Sequence, residues 1–185
     1  MVATTRRSQT PDSADGFDAL DACHRQIVFA LGKLAAIVAR LERFGPDPEA
    51  RAMAREVCEF FSTTARQHHA DEERHVFPGL LATADEPTRQ AVLRLQQDHG
   101  WLEEDWLELE PQLDAVAAGM GWYALDTLKE GATVFTALSH DHIALEESLV
   151  YPQAKARMLS GDRREMGREM SARRRADAKA ARPRN

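Results

Sequence analysis

Two stretches of the chain, HHADEERHVFP at residues 68–78 and HIALEESLVYP at residues 142–152, share one polar pattern. Each begins with a histidine, places glutamates four and five positions later, and ends on an aromatic residue followed by proline. A third stretch, HGWLEE at residues 99–104, repeats the first half of this pattern. Because residues four apart on an α-helix lie on the same face, we predict three helices that each present a histidine beside a glutamate.

The number of these pairs is higher than the composition would produce by chance. With 16 Glu and 7 His in 185 residues, random placement yields about 0.6 pairs at a spacing of four, and counting matches is the appropriate test. Four occur, or three without the overlapping pair His69–Glu73, and these three fall one on each of three predicted helices: His68–Glu72, His99–Glu103 and His142–Glu146. A solvated surface pair explains one such match but not a repeated pattern.

The remaining chain predicts an all-α fold. Apolar residues recur at helical spacing, Gly45 ends the first helix, and Asp47 begins the second as an N-cap. No stretch alternates between apolar and polar residues as a strand would. We therefore predict an up-down four-helix bundle over residues 16–160, a disordered N-terminus at 1–15, and a basic Arg-rich tail at 161–185 that is helical or disordered.

Composition and charge restrict the classes of function. A hydrophobic content of 43% with 29% charged residues is typical of a soluble globular protein. No secretory signal and no apolar run long enough to span a bilayer is visible, so we expect a cytoplasmic protein without a membrane partner. The net charge is −6, with the negative charge on the body. Nucleic acid is therefore not expected as the main ligand, although the basic tail leaves that partner open.

Imidazoles and carboxylates inside a helical bundle require compensation, because a buried charge is costly unless it is paired or bound to metal. The first helix adds a lone histidine, His24. Seven donors without a thiolate favour iron, then manganese, with zinc possible. They exceed the need of one ion and suit two ions with bridging carboxylates. The candidate ligands are His24, His68, Glu72, His99, Glu103, His142 and Glu146.

The two long repeats also set a register. Aligning their prolines equates Glu72 with Glu146 and His68 with His142. His69 then lies about 100° around the helix from His68, and Glu73 lies about 100° from Glu72. We therefore expect both His69 and Glu73 outside the site.

Other residues of the repeats have simpler interpretations. We expect His75 to flank the site and His140 to lie on the surface. The aromatic residues before the prolines, Phe77 and Tyr151, are predicted to be apolar plugs at one end of the bundle. Cys23 and Cys58 are expected to be reduced thiols.

The stretches CHRQI, HHADEERHVFP, DHGWLEE and HIALEESLVYP, in this order, resemble the hemerythrin-like family of His-His-Glu cation-binding domains over roughly residues 17–155. The resemblance implies a non-haem di-iron centre that interacts with O2, NO, peroxide or iron itself. It implies the same seven ligands, with Glu72 and Glu146 as bridges. Oxygen-binding members carry His-x-x-x-His on the third helix, where this chain has Glu103, a change that makes the site more anionic and favours ferric iron.

Three hypotheses follow from this resemblance. The chain binds or senses a small oxidant or iron, it is an enzyme that removes peroxide or NO, or it is a regulatory or interaction module with a structural metal site. A ferritin-like bundle, the rival di-iron fold, requires two Glu-x-x-His motifs. The chain has one match to that motif, Glu72–His75, and a second is absent. The sequence leaves the oligomeric state open.

Overall fold

The computed structural model describes residues 15–180, and all regular elements in this range are helical, as predicted. Two π-helical segments, Phe60–Ala65 and Glu146–Val150, interrupt the longer helices. The expected disorder of residues 1–15 falls, except for Asp15, outside the described residues. In chain order the α-helices are α1 (Gly16–Phe44), α2 (Pro48–Glu59), α3 (Arg66–His75), α4 (Phe77–Thr83), α5 (Glu86–Ala118), α6 (Leu125–Leu145), α7 (Tyr151–Arg157) and α8 (Ser160–Ala180).

Aspartate caps begin three of the long helical segments. The carboxylates of Asp15, Asp47 and Asp85 accept hydrogen bonds of 2.8–3.1 Å from backbone N–H groups two or three residues further on. Each cap of this kind contributes about 1 kcal/mol. At the other end of α5, Gly119 adopts the left-handed conformation with φ of 75°, which a side chain would disfavour. The segment bounds thus follow from local chemistry.

The proline in the second segment has a smaller effect than its position predicts. The sequence places a kink or an end at Pro78, yet the helix breaks two residues earlier, at Val76, and α4 continues to Thr83. Pro78 lies in the first turn of α4, where backbone N–H groups have no intrahelical acceptor. The missing N–H of proline therefore costs no hydrogen bond there. The break therefore separates α3 from α4 without ending the segment.

Four helical segments pack side by side, with α1 against α2 and α6, and α5 against the same two helices. A fifth helix, α8, packs on α1 and also contacts α3. Among the described residues, no helix has the length and apolar character needed to cross a membrane.

Two apolar clusters make up the interior. The larger one lies mainly between α1, α2, α5 and α6 and includes Leu34 and Leu113. The second includes Leu20 and Leu95 together with residues of α4, α7 and α8. Between them, each of the four packed segments contributes polar side chains, all buried except the partly buried His99, which we call the polar layer: His24, His68, Asp71, Glu72, Asp98, His99, His142 and Glu146.

The Arg-rich C-terminal segment is part of this packing. Met166 and Met170 of α8 are buried in the second cluster. A Cβ at Gly16 would lie 2.6 Å from the Met166 side chain, so the helices approach closely because residue 16 is glycine. Arg173 and Arg174 both form ion pairs with the fully buried Asp71, the latter at 2.7 Å. These two cations of α8 therefore neutralise a carboxylate of the body.

Replacing both arginines, R173A with R174A, is expected to lower the free energy of unfolding by about 3 kcal/mol, because Asp71 then remains buried without a cation. Urea unfolding of the metal-free protein measures this change. R164A, which removes an exposed arginine of the same helix, is the control and should leave the midpoint unchanged. Equal stability of the double variant and the control would contradict the role of this ion pair.

Candidate metal centre

Six of the seven predicted ligands converge in the polar layer, and they form two overlapping groups. In each group the candidate ligand atoms all lie within 4.8 Å of one another. The first group consists of His24, His68, Glu72 and Glu146. The second group consists of Glu72, His99, His142 and Glu146. The two glutamates belong to both groups, which is the arrangement that bridging carboxylates require.

Glu146 directs one carboxylate oxygen to each group. Its Oε2 atom lies 3.0 Å from Nε2 of His24, in the first group. Its Oε1 atom lies 3.2 Å from Nε2 of His142, in the second group. A carboxylate held in this way offers one oxygen atom to each of the two groups.

Glu72 has the same arrangement from the opposite side. Its Oε1 atom lies 3.4 Å from Nε2 of His68, and its Oε2 atom lies 3.4 Å from Nε2 of His99. Both glutamates are fully buried. The register deduced from the repeated prolines, which equates Glu72 with Glu146, therefore describes their geometry.

Several of these atoms have no hydrogen-bond partner although they are buried. They include the ring nitrogens of His68, Nε2 of His99 and of His142, and carboxylate oxygens of Glu72 and Glu146. An unpartnered buried polar atom costs about 1–3 kcal/mol. Convergence of such atoms fits a cation site, and nitrogen with oxygen donors suits iron, manganese or zinc. Burial raises the pKa of Cys23, beside His24, to about 12, so it remains a protonated thiol.

In the two long repeats, the second glutamate of the Glu-Glu pair orients a histidine from another helix. Glu147 lies 3.0 Å from Nδ1 of His24, and Glu73 lies 3.1 Å from Nδ1 of His99. In metal sites such contacts set the tautomer and direct the other ring nitrogen to the ion. Glu73, expected outside the site, therefore lies at the edge of the polar layer and holds a candidate ligand. In the two long repeats, the Glu-Glu pattern thus combines one glutamate shared by the two groups with one orienting glutamate.

The structure does not bring Glu103 to the site. Its half-exposed carboxylate pairs with Arg66 of α3, with bonds of 2.9 and 2.6 Å from Nε and Nη2. Arg66 faces α5 at this level and offers two parallel donors, which is a favourable carboxylate partner. A spacing of four from His99 sets the direction of Glu103 on its own helix but also moves it about 6 Å along the axis.

His69, expected to point outward, lies inside instead. A ring nitrogen of His69 joins His99 and His142 in a third compact group, and its ring stacks on that of His99 at 4.2 Å. On a helical wheel Glu72 lies between positions 68 and 69, about 40° from one and 60° from the other. A site wide enough for two ions accepts donors on both sides of the bridge. The His-His doublet before Glu72 was the available signal.

The electrostatics follow from burial and from the shared carboxylates. Burial lowers the pKa of His68 to about 3, although the charge of Glu72 opposes this shift. Burial also acts to lower the pKa of His142, but the charge of Glu146 and contacts with Asp98 and Glu146 outweigh it and raise the pKa to about 10. Burial acts to raise the pKa of Glu146, yet His142 and His24 outweigh it and lower the pKa to about 2. The metal-free site therefore holds an ion pair beside a neutral imidazole.

A pocket with mostly apolar walls reaches the second group. Its polar members are Arg66, Glu103 and Ser139 at the wall and His69 and His142 at the candidate ligands. The apolar lining residues are Ile27, Phe61, Ala65, Leu102, Trp106, Phe135 and Ile143. Of the histidines that line it, His142 belongs to the second group and His69 clusters with His99 and His142, so a small molecule in this pocket would contact that side of the site.

Comparisons with known proteins agree with this geometry. The hemerythrin HHE cation binding domain matches residues 15–154. A protein of Haemophilus influenzae described as uncharacterized is 31% identical over 156 residues, which cover 84% of this chain and 87% of that protein. The family match confirms the resemblance seen in the sequence, and it covers all six converging ligands.

Replacing His69 and replacing Glu103 should have different effects. H69A is expected to reduce bound metal, because it removes a candidate donor that clusters with His99 and His142, whereas E103Q should retain the metal content of the unchanged protein. Metal analysis after anaerobic Fe(II) loading distinguishes these outcomes. Full metal in H69A together with loss in E103Q would reverse the assignment and restore the ligand predicted from sequence.

Stability of the metal-free protein should be highest near pH 6.5. Below this value the unfolded chain protonates His68, whose folded pKa is about 3, so acid destabilises the fold across that interval. Above it the contribution of His142, whose folded pKa is about 10, is lost as the pH rises. Thermal unfolding from pH 3 to 10 measures both limbs. H68Q should flatten the acid limb, H140Q should not, and an unchanged acid limb in H68Q would contradict this origin.

Proposed function

Because the chain belongs to the hemerythrin family of cation-binding domains, we propose that it is a cytoplasmic non-haem di-iron protein that binds or senses a small oxidant: O2, NO or peroxide. We further propose that its four packed segments form an up-down four-helix bundle around the two irons, with α8 as an addition. In this proposal the irons are resident cofactors and the oxidant is the ligand.

One observation carries the proposal of two ions. Glu72 and Glu146 each direct their two oxygens to histidines of different groups, at 3.0–3.4 Å. Residues around a single ion do not need carboxylates divided in this way. In the proposal, His24 and His68 hold one ion, His99, His142 and His69 hold the other, and both glutamates are shared. Iron in this setting supplies redox chemistry and an exchangeable coordination position.

The pocket supports a small ligand of low polarity. Its aromatic and aliphatic walls exclude much of the solvent and offer few hydrogen-bond partners to a larger polar substrate. Arg66 and Glu103 neutralise each other at the wall, so the pocket presents paired charges there. O2 and NO fit this environment, and peroxide fits as a neutral molecule.

Without Glu103 the donor set has one carboxylate fewer than the sequence predicted. The third carboxylate was expected to make the site more anionic and to favour ferric iron. His69 lies in a compact cluster with His99 and His142, so in this proposal three imidazoles and the two shared carboxylates would hold the second ion. The donor set is then less anionic than predicted, which favours a ferrous state able to bind the oxidant.

Metal analysis tests the cofactor. After anaerobic Fe(II) loading we expect about two irons per chain and a higher thermal midpoint, since an ion that binds only the folded state stabilises it. E72A and E146A should each lower both quantities, because each removes a bridge. E104Q, an exposed change on the same bundle, is the control. One zinc per chain, or no bound iron, would refute the di-iron proposal.

Narrowing the pocket tests the ligand. Ala65 is a small buried residue of the lining, so A65L is expected to slow and weaken NO binding to the diferrous protein at least about tenfold. The iron content of A65L is measured in parallel and should remain about two per chain. Stopped-flow absorbance gives the binding rate. An unchanged NO affinity and rate at full iron content would exclude this pocket as the route.

A further inference from the structure

One difference between the two repeats concerns the aromatic residue before the proline. Aligning their prolines places Phe77 opposite Tyr151. The two rings have equivalent neighbours, since Phe77 stacks on His99 at 5.5 Å and Tyr151 stacks on His24 at 5.2 Å. Only the second ring carries an oxygen. The predicted role of an apolar plug therefore describes Phe77 but leaves the hydroxyl of Tyr151 unexplained.

That hydroxyl lies among the ligand atoms of the first group. It donates a short hydrogen bond to Oε1 of Glu72, the same oxygen that faces His68, and lies 3.1 Å from Nε2 of His24. The side chain is buried, with 1% of its surface exposed. The hydroxyl oxygen lies beside these ligand atoms and does not displace any of the histidines.

Two distances from Nε2 of His24 match those between neighbouring ligands of one ion. Nitrogen and oxygen donors bind such ions at about 2.1 Å, so two donors at right angles lie about 3.0 Å apart. The His24 to Tyr151 separation of 3.1 Å and the His24 to Glu146 separation of 3.0 Å both fit this value. The hydroxyl oxygen thus has the position of a donor as well as that of a hydrogen-bonding neighbour.

The two groups also differ in their number of donors. His99 and His142 of the second group also form a compact cluster with His69, whereas the residue aligned with His69 in the other repeat is Ile143, which has no donor atom. Without Tyr151 the first group has only four residues. The phenol oxygen would supply a fifth donor at the first group, because isoleucine stands in the second repeat where the first repeat has His69.

We propose that Tyr151 is a metal ligand, whose oxygen binds the ion held by His24, His68, Glu72 and Glu146. The inference rests on the proposed di-iron function and deepens it. When the oxygen binds Fe(III) as phenolate, its proton passes to the solvent. The two irons are then chemically distinct. The iron with the tyrosine is hard and oxygen-rich, and the iron with three imidazoles faces the pocket.

The visible spectrum of the diferric protein tests this ligand, because phenolate bound to Fe(III) produces a charge-transfer band. Y151F retains the ring and removes the oxygen, as the first repeat does naturally at Phe77. The chain has two tyrosines, so Y123F is a matched control. We expect the band in the unchanged protein and in Y123F and its loss in Y151F. Iron content is measured in every sample.

The outcomes separate this inference from the di-iron proposal. Two irons per chain without the band, or a band that persists in Y151F, would overturn the ligand and leave the di-iron proposal standing. No bound iron in the unchanged protein would overturn both. If Y151F binds less iron, resonance Raman spectra of the unchanged protein with ring-deuterated tyrosine decide. Shifted phenolate modes support coordination, and unshifted modes overturn it.

Discussion

Two carboxylates buried between two apolar clusters are the constraint on which the rest of this protein depends. Glu72 and Glu146 are fully shielded from solvent, and each is shared by two histidines on different helices. A carboxylate in such a place is costly unless cations or hydrogen-bond donors surround it. The surrounding histidines, the orienting glutamates and the two apolar clusters all serve to hold these charges where an ion can neutralise them.

The repeat explains the symmetry of the site, and the exceptions to the repeat explain its asymmetry. Corresponding histidines, bridging glutamates and prolines occupy corresponding positions in both halves. His69 has no counterpart in the second repeat, and Tyr151 has no hydroxyl counterpart in the first. The apolar pocket reaches the His69 side, and the tyrosine lies at the other. A nearly symmetric scaffold thus surrounds the two shared carboxylates unequally, with an apolar pocket on one side and a buried tyrosine on the other.

The C-terminal helix extends the same principle of charge compensation. Asp71 is adjacent to a bridging glutamate and is equally buried, but it faces α8 and not the candidate ions. Arg173 and Arg174 neutralise it there, while Met166 and Met170 complete the second apolar cluster. The basic composition that suggested a separate tail is therefore used, in part, inside the fold.

The sequence by itself determined the helices, the repeat and the pairing of two histidines with two glutamates. Caps, glycines and apolar periodicity are local properties, and a spacing of four places His68 with Glu72 and His142 with Glu146 whatever the neighbours are. Tertiary structure decided which helix each remaining side chain meets. A helical wheel gives a direction about one axis, but not the residue that stands at the same level on the next helix. Glu103 therefore pairs with Arg66, and His69 stacks on His99 of α5. The hydroxyl of Tyr151 bonds to Glu72 of another segment.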